Sequence, residues 1–251
     1  MAQFLCSNPL NSDRRNNLPP IRTYTNWNTR PSDNEPAIEP YRKYFFICEG
    51  RNTETWYFQK LIDLRKTLEI RPMIDIRLLE KTEEDADISY PKKLIEFADI
   101  QKANPEIAFD PERDKMIVVF DADIFEEKVS NYNEVIKLGE QQNILAITNP
   151  GFELFLLLHF DGSFEVDIQP NAEEIIRNEK FGNQRFIYSL LLKHTNMNSK
   201  KNPLIGELAH KVKTAIVQER KVNQDIYDCK GKITSNIGMI IDGIIHDNGM
   251  E

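Results

Sequence analysis

Over residues 41–150 the apolar positions fall into short unbroken runs separated by longer stretches with helical spacing. Tyr44-Phe45-Phe46-Ile47-Cys48 follows Lys43 and ends in Glu49-Gly50. Its length and aromatic content predict a strand buried on both faces. Tyr57, Leu61, Leu64 and Leu68 recur at helical spacing and predict a helix over 53–68 with Thr53 as its N-cap. Met73–Leu79 alternates in part, which predicts a second strand. Ser89-Tyr90-Pro91 opens a helix to about Ala103, since proline fits a first turn. Met116–Asp121 is β-branched and continuous, the clearest strand in the chain. A helix over 131–142 and a strand over Ile144–Thr148 complete this part.

Strand, helix, strand, helix, strand predicts βαβ units with right-handed crossovers, hence an α/β fold around a parallel sheet. In such sheets ligands bind beyond the C-terminal ends of the strands. Glu49, Asp121 and Thr148-Asn149 all fall on that edge. From Gly151 the pattern changes. Phe152–Phe160 reads as an apolar helix carrying Glu153 and His159, and Phe164–Ile168 as a short edge strand. Helices follow over 171–180, 184–195, 203–220 and 233–246. The expected organisation is therefore a disordered or extended arm over 1–40, an α/β domain over 41–165 and a mainly helical subdomain over 166–251. No internal repeat is visible.

Bulk properties narrow the setting. Of 251 residues, 40% are hydrophobic and 29% charged, the profile of a globular chain. Three scattered cysteines form no CxxC pair, which speaks against a disulfide framework and for a reducing cytoplasm. No apolar run approaches the roughly 18 residues of a membrane span, and the first residues lack a secretory pattern. A cytoplasmic, soluble protein is expected. The net charge of -8 speaks against a nucleic-acid partner until its distribution is considered. Between Arg177 and Lys232 there are twelve Lys/Arg against five Asp/Glu. That region could meet phosphates through lysines such as Lys200, Lys201, Lys211 and Lys213, or could be a solvated lysine-rich surface. The first 40 residues carry four arginines and four acids, too balanced for a polybasic anchor.

The candidate chemistry is acidic. Strand alternation points Asp121 and Asp123 the same way, so both carboxylates can converge on one cation. Equally, Asp121 could cap a turn while Asp123 is solvated. Glu49, followed by Gly50, could be a metal ligand, a general base or an ordinary loop acid. His159 lies on an otherwise apolar helix, where a core position competes with a role beside the site. His194, His210 and His246 are too dispersed to suggest one. Tyr44, Phe45, Phe46, Trp56 and Tyr57 read as core. Without a P-loop, ATP hydrolysis would have to come from a partner.

Three segments carry a resemblance: Cys48-Glu49-Gly50-Arg51-Asn52-Thr53-Glu54, Val119-Phe120-Asp121-Ala122-Asp123-Ile124-Phe125, and Asn149-Pro150-Gly151-Phe152-Glu153 continuing to Phe160. In this order they resemble the RloB family across residues 43 to 162. That family is similar to the TOPRIM superfamily, in which a strand-end glutamate and a DxD pair bind magnesium. The resemblance implies a TOPRIM-like nuclease fold, a prokaryotic defence role against phage or foreign DNA, and pairing with an ABC- or SMC-type ATPase subunit. It assigns Glu49 as base or ligand, and Asp121 and Asp123 as the metal pair. Asn149 and Glu153 match the NPxFE segment, Glu153 as a further ligand. Thr53 and Glu54 match the TE pair, although helix capping explains them without catalysis. Ala122 stands where relatives commonly carry Arg. Ser235-Asn236-Ile237-Gly238 only loosely matches the family's closing segment.

The expectation is a magnesium- or manganese-dependent phosphodiesterase acting on DNA or RNA. Glu49, Asp121 and Asp123 would be catalytic and Glu153 would complete the metal set. Glu54, Asn149 and His159 would support the site or the substrate, and the four lysines would steer the nucleic acid. The rival is a non-catalytic subunit that keeps the shape to dock an ATPase or sense an invader, and a third reading is primase-like nucleotidyl transfer.

Overall fold

The computed structural model describes residues 22–24, 40–81, 88, 90–122, 131–182 and 184–249. A six-stranded sheet organises them. It contains β1 (Arg22–Tyr24), β2 (Arg42–Cys48), β3 (Ile74–Glu80), β4 (Lys115–Asp121), β5 (Ile144–Asn149) and β8 (Thr234–Ser235), in the order β1-β3-β2-β4-β5-β8. The four central strands are parallel, and β1 and β8 close the two edges antiparallel. The remaining pair, β6 (Lys180–Phe181) and β7 (Gln184–Arg185), forms a separate two-stranded ribbon.

Why β2 is apolar throughout follows from its place between β3 and β4. Phe46 and Cys48 enter one core, and Phe45 and Ile47 enter the other, as alternation along a strand requires. The first core is covered by α1 (Thr53–Asp63), α4 (Phe152–Leu157), α6 (Phe186–Thr195), α7 (Val212–Glu219) and α8 (Ile237–His246). The second is covered by α2 (Pro91–Lys102) and α3 (Tyr132–Glu140). A short α5 (Ala172–Arg177) leads to the β6–β7 ribbon. After β2 the chain crosses one face through α1 to β3; after β4 it crosses the other face through α3 to β5. The neighbouring strands β2 and β4 thus release their chains in opposite directions and leave a crevice at their C-terminal ends.

Most predicted elements fall where the periodicity placed them, and the exceptions have physical reasons. Phe164–Ile168, expected as an edge strand, is a π-helical turn. Its apolar residues at 164, 166 and 168 mimic alternation, but Phe164 and Ile168 are also four apart, and Val166 is 70% exposed. Gln218 accepts the Phe164 N–H at 3.1 Å and donates to the carbonyls of Leu158 and Phe160, holding this turn. Thr53 is not the N-cap of α1. Asn52 occupies that position, and the Thr53 hydroxyl donates instead to the Ser199 carbonyl at 3.0 Å. The helix expected from 233 begins at Ile237, because Thr234 and Ser235 pair with Asn149 and Thr148 of β5. The helix expected over 203–220 is a 3-10 helix at Pro203–Lys211 followed by α7. Of the arm over 1–40, Arg22–Tyr24 form β1; residues 1–21 and 25–39 lie outside the described residues. Among the described residues no helix is long and apolar enough to cross a membrane.

Candidate functional site

The crevice is walled by acids. Asp121 ends β4 opposite Thr148 of β5, whose hydroxyl donates to Asp121 Oδ1 at 2.7 Å. Strand pairing therefore helps to hold the aspartate side chain. One strand over, the N–H of Glu49 donates to the Val119 carbonyl at 2.9 Å, extending the β2–β4 ladder past Cys48. The Asp121 N–H then donates to Glu49 Oε2 at 3.3 Å. Lys81, just beyond β3, donates its ammonium to the Glu49 carbonyl and to the Ile88 carbonyl, the latter at 2.8 Å. It ties the turn after β2 to the segment before α2.

Two helix N-termini bring the other carboxylates, a placement the helix dipole favours. Glu54 lies in the first turn of α1 and Glu153 in the first turn of α4. Glycines make the approach possible. A β-carbon at residue 50 would overlap the Glu54 carboxylate. One at residue 151 would lie 3.2 Å from Glu153 Oε2 and 3.3 Å from Asp121 Oδ2, so these two carboxylates close on the same spot. The pocket between them has a volume of about 200 Å³ and is lined by residues 50–54, Asp121, Phe152, Glu153 and Lys200.

Crowding raises the proton affinity of these acids. Burial, then the charges of Glu54, Glu153 and Glu49, hold the Asp121 carboxyl well above its ordinary range, against the Thr148 hydrogen bond. Burial first, with Glu153 and Glu49 adding to it, pushes Glu54 up to about 7, and Lys200 opposes this. Glu49 is raised by burial, offset by the Asp121 N–H and by Lys81. A donor set made of carboxylate oxygens, with no thiolate or imidazole, suits a hard divalent cation such as magnesium or manganese rather than zinc. Among the described residues no three Asp, Glu, His or Cys side chains are gathered closely enough to hold an ion. Asp123, two residues beyond the end of β4, lies outside the described residues.

Comparison with known proteins adds the family. The family model described as RloB-like protein matches residues 44–244. The chain belongs to the RloB-like family. No curated protein and no solved structure matches it. The RloB-like match runs from β2 into α8, well past residue 162, where the resemblance legible in the three sequence segments ends. It takes in the whole C-terminal region that covers the first core.

The other predicted residues of this RloB-like chain separate by place. Asn149 is buried, and its amide donates to the carbonyls of Cys229 at 3.0 Å and Lys232 at 2.9 Å, fastening the loop before β8. His159 lies in the core away from the pocket. Its Nδ1–H donates to the Phe155 carbonyl and its Nε2 accepts the Tyr57 hydroxyl, each at 2.9 Å. Burial drives its pKa down to about 4, so the ring is a neutral hydrogen-bonding strut. The four lysines do not form one patch. Lys200 reaches the acidic pocket and Lys201 is exposed on the same loop. Lys211 lies over the Phe160 ring at 5.6 Å. Lys213 lines a different groove with Leu68, Arg71, Arg220 and Asp242.

Two residues that sequence reasoning missed shape the site's surroundings. Lys81 follows the acid ending β3, and nothing in the local pattern signals that its ammonium reaches Glu49. Glu219 is fully buried at the end of α7, accepting the Gly238 N–H at 2.8 Å and the Met239 N–H at 2.7 Å. An acid closing the apolar run Ala215-Ile216-Val217 was the available signal. Glu219 also accepts the Ser235 hydroxyl. Asn236 Oδ1 accepts the Ile147 N–H at 2.7 Å, and its amide donates to Leu145. The 235–238 segment thus serves the sheet and the start of α8.

Proposed function

We propose that this chain is a metal-dependent nuclease that hydrolyses phosphodiester bonds of DNA or RNA, in the TOPRIM-like manner the family resemblance implies, within prokaryotic antiphage defence. The observation that carries this reading is the convergence of Asp121, Glu153 and Glu54 on one small pocket, with Glu49 on the Asp121 amide. Like charges held this close are relieved by a divalent cation. Asp121 and Glu153, joined by Asp123 and Glu49, would hold magnesium or manganese. When bound, such an ion neutralises phosphate charge and activates water. Glu49, whose carboxyl burial raises above its ordinary range, lies beside Asp121 and would take a proton from an attacking water. Glu54, at about 7, can store or return a proton near neutral pH. An ABC- or SMC-type ATPase subunit is the proposed partner, supplying the P-loop absent from this sequence.

The test is cleavage of DNA and RNA by the purified chain in Mg²⁺ or Mn²⁺, alone and with the ATPase. Asp121→Ala and Glu49→Gln are expected to reduce cleavage to background while leaving the fold intact. Cleavage that persists in Asp121→Ala overturns the assignment.

One observation favours a second reading, a non-catalytic sensor or regulatory subunit: the described carboxylates are not gathered tightly enough to hold an ion. A thermal-shift titration separates the two. A rise in melting temperature with Mn²⁺ that Asp121→Ala removes supports the nuclease, and no response supports the sensor.

A further inference from the structure

Among the four predicted steering lysines, only Lys200 faces the carboxylate pocket, and the fold takes unusual care to put it there. It comes from the C-terminal region, 146 residues after Glu54. The loop that bears it is fixed to the start of α1 by two bonds. The Asn52 amide donates to the Lys200 carbonyl at 2.9 Å, and the Thr53 hydroxyl donates to the buried Ser199 carbonyl. From within the loop, Asn198 Oδ1 accepts the Lys200 N–H at 3.0 Å, and the Asn198 carbonyl accepts the N–H groups of Lys201 and Asn202. The backbone at residue 200 is thus held on both sides, while the side chain itself is exposed.

A structural counter-ion would be expected to close on a carboxylate. Among the described residues Lys200 makes no ion pair, although its charge is felt by Glu54 across the pocket. One polar group of the loop itself lacks a partner: the Ser199 hydroxyl is buried with no hydrogen bond among the described residues. The Tyr188 hydroxyl lies against the Ser199 backbone, within the field of Glu153. A loop stapled in place around a buried unsatisfied hydroxyl, with its ammonium left open beside a row of acids, is organised for something other than its own stability.

We propose that Lys200 is the phosphate-binding residue of this site: it receives a non-bridging oxygen of a nucleic-acid phosphodiester beside the carboxylates. This rests on the nuclease reading and names the side chain that meets the substrate. An ammonium is a compact donor that suits a single phosphate oxygen. The Asn52 and Thr53 bonds act as positioning contacts, which gives the Thr53-Glu54 pair a task in substrate binding: one member holds the lysine loop and the other lies across the pocket from the ammonium.

The experiment measures anisotropy of fluorescein-labelled single-stranded DNA and RNA with the full chain, across a salt series, with Ca²⁺ in place of Mg²⁺ to hold the complex before turnover. Lys200→Ala is expected to weaken binding about tenfold and to lower the slope of log affinity against log salt by about 0.7, the share of one phosphate contact. Lys200→Arg restores the slope, and Asn52→Ala, which frees the loop and keeps the charge, weakens binding without changing the slope. Lys93→Ala, an exposed lysine of α2, leaves both unchanged. If the unaltered chain binds and cleaves while Lys200→Ala matches Lys93→Ala, the lysine assignment falls and the nuclease reading stands. If the unaltered chain neither binds nor cleaves either strand, both fall. Binding of inorganic phosphate alone, with no strand binding, also overturns the proposal.

Discussion

The two ends of the central sheet treat charge in opposite ways. At the end where the parallel strands begin, buried and half-buried charges are matched. The Arg42 guanidinium donates to Asp247 at 2.9 Å and the Tyr44 hydroxyl donates to the same carboxylate at 2.7 Å. Asp114 takes both the N–H and the ammonium of Lys43. Asp75 lies between Arg65 and Arg77. At the other end, where the strands stop, Glu49, Glu54, Asp121 and Glu153 gather with three cations, Arg51, Lys81 and Lys200. Of these, Lys81 donates to backbone carbonyls and Lys200 to no carboxylate among the described residues. Equally acidic residues lie in both places. Partners hold Asp247 below its ordinary range although burial pulls the other way, whereas Asp121 is driven above it. A charge that is matched serves the fold; charges left mutually repelling are held in reserve for a ligand.

That contrast can be broken by substitution. Replacing Asp247 by Ala removes the buried carboxylate that the Arg42 guanidinium and the Tyr44 hydroxyl share, and is expected to destabilise the protein by about 3 kcal/mol in urea unfolding. An effect below about 1 kcal/mol would place Arg42 in solvent and dissolve the distinction. Asp121→Asn tests the opposite end. In metal-free, mildly alkaline buffer it is expected to stabilise by about 1 kcal/mol, because it removes a repelling charge and keeps an acceptor for Thr148. A loss of stability there would make Asp121 a structural acid. The third effect is a pH dependence. Below about 4.5 Glu54 is protonated in folded and unfolded chains alike, and between that value and about 7 only the folded chain keeps the proton. Stability should therefore fall as pH rises through this window, read as a falling melting temperature. Glu54→Gln should flatten the decline, and so should saturating Mn²⁺.

How far the sequence revealed this arrangement depended on range. Strands β2 and β4 were legible because burial on both faces leaves an unbroken apolar run. Their terminal acids could be placed on one edge from topology alone. Glu153 came through the NPxFE segment rather than from periodicity, and the geometry at Gly151 places it beside Asp121. What local pattern could not reveal were bonds spanning distant segments. The Thr53 hydroxyl reads as a cap until Ser199 is known to lie above it. The bonds of the Asn149 amide to the carbonyls of Cys229 and Lys232 are of the same kind, since both carbonyls lie in a distant segment. His159 shows the same limit, since its partner Tyr57 lies on another helix. Phe164–Ile168 misled because five residues can satisfy a period of two and a period of four together.

The Arg42–Asp247 pair also bears on how the protein comes to be made. These residues are 205 positions apart, and Arg42 opens a strand in the interior of the sheet. During synthesis that guanidinium waits for nearly the whole described chain before its carboxylate arrives, while Thr148 of β5 waits for Ser235 of β8, 87 positions on. Contacts of such separation slow folding, and they join its stages into one late step. Nascent chains should accordingly gain protease resistance once Asp247 has emerged rather than in two stages. Fragments ending before α8 should depend on chaperones, even when they contain every carboxylate of the pocket.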